Sequence, residues 1–143
     1  MSASLLYRIA SVLLLLFAAG HTLGFRQVDP GWGVDALIES MKAKHFQVQG
    51  MDVSYWGFFT GFGLFVSVFL VFAAVLAWQL GGMPREVLRA MPLIRWGFAL
   101  CFVALTYLSW QYFFIVPVAF SGVIAICLLA AAWQVARVER LAA

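Results

Sequence analysis

His21 is the residue of this chain with the widest chemical reach. It stands near the end of a run that is otherwise Leu, Val, Ala and Phe. A neutral imidazole accepts one hydrogen bond and donates another, ligates metals and passes protons. Inside a hydrocarbon span such a group is costly unless it is partnered, which makes it a candidate site. The plainer expectation is a ring tied to a facing carbonyl or a Tyr hydroxyl, joining two helices, with Tyr55, Tyr107 or Gln111 of the second and third apolar runs as the leading partners. His45, the second histidine, lies in a hydrophilic stretch with Glu39 and Asp52. Together the two histidines could hold a metal or a haem, but no HxxxH or HxxE spacing supports either. The sequence therefore predicts no metal and no cofactor.

Other polar and aromatic side chains stand at corresponding ends of later apolar runs. Tyr55, Trp56 and Thr60 open the second; Tyr107, Ser109, Trp110, Gln111 and Tyr112 close the third; Ser121 begins the fourth. The expected candidate site is one layer containing His21, Tyr55, Trp56, Tyr107, Trp110 and Gln111. An interfacial belt accounts for Trp and Tyr at that depth, but less readily for His21 and Gln111. Enzyme chemistry is not indicated. Ser109 and Ser121 have no positioned base beyond His21. Cys101 and Cys127 form no CxxC motif, and the last three runs carry no acid for proton coupling.

The elements that would hold these residues are membrane spans. The chain is 65% hydrophobic and 10% charged, with mean hydropathy +0.99. A soluble domain carries nearer a quarter charged residues. Four stretches reach the roughly 20 apolar residues that a crossing needs, at about 5–25, 54–80, 93–115 and 118–135. They are continuous rather than alternating, so the fold class expected is all-α: a four-transmembrane-helix bundle forming a single domain over residues 1–143. The first run passes beyond the small residues Ala18, Ala19 and Gly20, and is read as a retained anchor rather than a signal peptide.

Residues 26–53 form the sizeable hydrophilic loop. Asp29-Pro30-Gly31 signals a turn. Val34, Leu37, Ile38 and Met41 make a helical stripe, so a short amphipathic helix is expected there, with Trp32 as an interfacial anchor. Gly81-Gly82-Met83-Pro84 is expected to be a plain turn. Phe114 to Pro117 is expected to be a tight one that makes the last two spans antiparallel neighbours. Six basic residues (Arg8, Arg85, Arg89, Arg95, Arg137, Arg140) flank the spans on one side, against three (Arg26, Lys42, Lys44) on the other. The positive-inside rule then puts both termini in the cytoplasm and the loop outside. The net charge of +3 is too small and scattered to suggest nucleic acid. Gly20 with Gly24, and Gly57 with Gly61, form GxxxG pairs, for which packing within the bundle is expected ahead of a dimer seam.

The segments Gly20-His21-Thr22-Leu23-Gly24, Ser54-Tyr55-Trp56-Gly57-Phe58-Phe59 with Gly61-Phe62-Gly63, and Ser109-Trp110-Gln111-Tyr112-Phe113-Phe114 resemble a group of short bacterial four-helix integral membrane proteins with no assigned activity. That resemblance implies a multi-pass protein of the bacterial inner membrane and supplies no substrate or catalytic residue. Two functional expectations stand. One is a binding module holding a lipid-like or other hydrophobic small molecule in the polar layer. The other is a small accessory or scaffold subunit, docking a larger membrane complex or a second copy. A pocket with convergent polar groups favours the first; a filled interior with a bare small-residue face favours the second.

Overall fold

The computed structural model describes residues 1–141, with side chains through Arg137. It is all-α apart from one small hairpin: α1 (Ala3–Gly24), α2 (Asp35–Ala43), β1 (His45–Val48), β2 (Met51–Ser54), α3 (Tyr55–Gly82), α4 (Arg85–Arg89), α5 (Pro92–Tyr112) and α6 (Ile115–Leu141). Four helices, α1, α3, α5 and α6, are long and apolar enough to cross a membrane. Only 17% of the most apolar window of α3 is buried within the chain. Its phenylalanines at 62, 65, 69 and 72 are all more than 60% exposed. Those rings suit hydrocarbon as solvent and would be untenable in water at this density.

Three boundaries differ from the sequence reading. α6 begins at Ile115, ahead of Pro117 rather than after it. A proline in the first turn removes an amide that has no intrahelical acceptor, so the helix tolerates it there. The tight connection is thus Phe113–Phe114, and α5 ends at Tyr112. Gly81 and Gly82 do not turn the chain but finish α3, and the break falls at Met83–Pro84. After Pro84 comes α4, which the sequence reading did not resolve; its Leu88 is 2% exposed.

The chain divides into two compact units, one of residues 1–17 and the chain from Leu70 onward, the other Ala18–Phe69. In the first, Ala10, Ala74, Ala77, Ala99, Ala131 and Ala132 are buried. Side chains this small let helix backbones approach, which is how helices pack when lipid offers no hydrophobic drive. Hydroxyls then bridge helices: Ser11 Oγ donates to Ala74 O at 2.7 Å, and Ser4 Oγ donates to the Gly81 carbonyl. The Arg8 guanidinium lies 3.7 Å above the Trp78 ring, a face that attracts cations. Phe17 stacks on Phe120 with centroids 5.3 Å apart. Arg95 is 1% exposed, the largest fully buried side chain, and its Nη1 donates to Ala132 O at 3.3 Å.

The second unit carries the loop. Asp29 Oδ1 accepts from Gly31 N at 2.8 Å, capping a short 3₁₀ turn at Pro30–Trp32. α2 is the expected amphipathic helix, with Asp35 in its first turn and Lys42 in its last, as its dipole favours. None of its residues is buried within the chain. The hairpin was not anticipated. Its register pairs His45 with Ser54, Phe46 with Val53, Gln47 with Asp52 and Val48 with Met51. Gln49 and Gly50 close it with φ of 51° and 83°, the two left-handed residues of a type I′ turn. Ser54 ends β2 and also caps α3, its Oγ accepting from Gly57 N at 3.1 Å.

Candidate functional site

The polar centre of the second unit forms where α1 meets α3. His21 sits one turn before Phe25 on the same face of α1, and the two rings stack at 5.1 Å and 13°. His21 Nε2 lies 2.9 Å from Gly63 O. A carbonyl only accepts, so Nε2 carries the proton, and the lone pair of the neutral ring is at Nδ1. Gly63 O also accepts from Ser67 Oγ at 3.2 Å. Ser67 Oγ is in turn 2.8 Å from Thr22 Oγ1, which reaches back to Ala18 O at 2.7 Å. Two hydroxyl protons and one imidazole proton thus serve the carbonyls of Ala18 and Gly63. Each of these protons thus has an acceptor on its own or the facing helix, as burial in an apolar setting demands.

Gly63 makes this contact geometrically possible. A Cβ on it would come within 2.3 Å of the Phe25 ring, so with this placement of Phe25 the approach of α3 to His21 depends on residue 63 having no side chain. The GxxxG residues do not play this part. A Cβ on Gly20, Gly24 or Gly61 would meet nothing within 4 Å, and one on Gly57 would meet only Ser54 Oγ at 3.5 Å. The expected packing of these pairs within the chain is therefore corrected: among the described residues no other helix packs on them.

The six candidate residues fall in two groups. His21, Tyr55 and Trp56 belong to the second unit, and Tyr107, Trp110 and Gln111 to the first. His21 is held by a facing carbonyl, not by Tyr55, Tyr107 or Gln111. Tyr55 packs against Phe46 with centroids at 5.0 Å. Trp56 packs against Phe59 at 5.4 Å and lies under Lys42 Nζ at 5.3 Å. These two residues thereby fasten β1 and α2 to the first turn of α3. Tyr107 and Trp110 are 66% and 74% exposed, and Gln111 is exposed with them. That position at the end of a span matches an interfacial aromatic belt.

His45 is engaged by the hairpin: its Nδ1 is 2.8 Å from Asp52 Oδ2, while Gln47 Nε2 donates to Asp52 Oδ1 at 3.3 Å. Among the described residues no three His, Cys, Asp or Glu side chains could hold a metal together. Ser121 Oγ donates to Pro117 O at 2.7 Å, a bond to its own helix that leaves no activated nucleophile.

Sequence reasoning missed Gly63, Ser67 and the buried Arg95. The signal for Gly63 was present as a third glycine two residues beyond the GxxxG pair, where α3 faces the other way. An open groove of about 380 Å³ lies apart from the six candidates, lined by Trp96, Leu129, Ala130, Trp133 and Gln134. No protein family matches this chain, and no curated protein or solved structure is significantly similar to it.

Proposed function

We propose that the chain is a small interaction subunit of the bacterial inner membrane, whose bare glycine faces receive a transmembrane helix of a larger complex or a second copy. The observation that carries this reading is the open space beside Gly20, Gly24 and Gly61, with only Ser54 Oγ beside Gly57. Such glycines expose helix backbone, and a partner helix gains close van der Waals and Cα–H contacts there that lipid tails do not supply. The six-to-three excess of basic residues supports cytoplasmic termini, with α2 and the hairpin outside. A cytoplasm-only reporter fused after Ala143 is then active and one inserted at Gly50 silent; the reverse pattern overturns the orientation.

A photo-crosslinking residue at Gly61 tests the docking face in living cells. An adduct to a membrane protein is expected at Gly61 and not at Leu70, which is 5% exposed. No adduct at Gly61 overturns the proposal. A hydrophobic small molecule co-purifying in its place, seen by native mass spectrometry, would instead support a ligand held by the layer of His21, Tyr55, Trp56, Tyr107, Trp110 and Gln111.

A further inference from the structure

The α5–α6 groove presents an apolar surface with a cation at its end. Leu129, Ala130, Trp133 and Gln134 lie on one face of α6, and Trp96 forms the opposing wall from α5. Helical spacing puts Arg137 on that same face, four residues beyond Trp133 and three beyond Gln134; Arg137 is exposed. Trp133 is 18 residues from Ile115, the start of α6, so it lies about 27 Å along the helix at about 1.5 Å per residue. The hydrocarbon core is about 30 Å thick. Both indoles therefore stand at the membrane boundary opposite the α5–α6 turn, with Arg137 just past it, at headgroup level.

We infer that this groove is a binding site for one anionic phospholipid, its acyl chain lying against Trp96, Ala130 and Trp133 and its phosphate meeting Arg137. The walls of the groove are almost wholly apolar, which suits an acyl chain lying against them. Charge decides against a zwitterionic lipid, because a single Arg near headgroup level favours an anionic one by about 1 kcal/mol, or roughly fivefold.

Native mass spectrometry of the full chain, in mild detergent with equal phosphatidylglycerol and phosphatidylcholine, tests the site. One phosphatidylglycerol should be retained in about fivefold preference. Arg137→Gln, a change at an exposed position that leaves the core untouched, should lower that preference. Ala130→Phe should fill the groove and lose both adducts, with helicity and melting temperature confirming that it folds. Equal retention of the two lipids by the unmodified protein overturns the inference. So does an undiminished preference in Arg137→Gln, which decides the matter even if Ala130→Phe fails to fold.

Discussion

The imidazole of His21 and the main-chain carbonyl of Gly63, 42 residues apart in sequence, are joined by a 2.9 Å hydrogen bond. The bond ties α1 to α3 through an atom that every residue possesses. Glycine at position 63 leaves room for the Phe25 ring, which stands where a side chain would otherwise begin.

Replacing His21 with Leu removes the donor and leaves Gly63 O with Ser67 alone. Interhelical hydrogen bonds in membranes contribute about 0.6 kcal/mol on average and up to about 1.7, so a loss in that range is expected. Gln at position 21 keeps an amide donor and should retain part of the stability. Unfolding in mixed detergent measures the difference, and an unchanged His21→Leu would remove the bond from any account of stability.

Gly63→Ala and Gly61→Ala separate two kinds of glycine. The first drives a methyl into the Phe25 ring and should cost about 1–3 kcal/mol, as overpacking does. The second meets open space and should be neutral or mildly stabilising, since Ala is the better helix former by about 1 kcal/mol. Adding Phe25→Ala should relieve the Gly63→Ala defect, a non-additivity visible in a double-mutant cycle. Equal effects at positions 61 and 63 would contradict the assignment.

Much of this architecture was legible in the sequence, and the part that was not has a common cause. Runs of Leu, Val and Phe demand a helix of membrane length regardless of what surrounds it, so all four spans and the amphipathic α2 could be expected. A tie from His21 to a facing helix could be expected as well, but its partner is the Gly63 carbonyl and not the side chain of Tyr55, Tyr107 or Gln111. The hairpin could have been read from alternating Phe46, Val48, Met51 and Val53 around Gln49-Gly50, a period-2 pattern of only four residues per strand that the neighbouring helical stripe obscured. Which glycine approaches another helix could not be read, because that depends on the rotation of α3 about its own axis. A GxxxG spacing fixes a face but not what that face meets. For the same reason Tyr55 and Trp56 look like lining residues in sequence, yet pack against Phe46 and Lys42.

The turn at Gln49-Gly50 offers a third test. Gly50 has φ of 83°, and a β-branched residue there should cost about 1–2 kcal/mol. An isolated two-stranded hairpin is marginal, so Gly50→Val should open it. Limited proteolysis should then cut between residues 44 and 54 faster than in the parent protein. Gln49→Asn, better suited to its φ of 51°, should slow cleavage instead.

Arg95 sits 1% exposed, beside a Tyr7 side chain with no exposure at all. Truncation to Ala removes the largest fully buried side chain and should cost about 2–5 kcal/mol, in the range of large core deletions. Thermal unfolding of the purified protein reads this directly. A loss below about 0.5 kcal/mol, the range of surface substitutions, would mean that the guanidinium is not integral to the packing of α5 on α6.

Ser54 is the partner of His45 at the open end of the hairpin and, through its Oγ, the cap of the first turn of α3. Strand and helix share this residue, with no linker between them to absorb rotation. The direction in which the hairpin projects, with its polar face of His45, Gln47 and Asp52, is therefore set by the first turn of α3. A single glycine inserted at the junction would uncouple the two and turn a fixed bracket into a swivel.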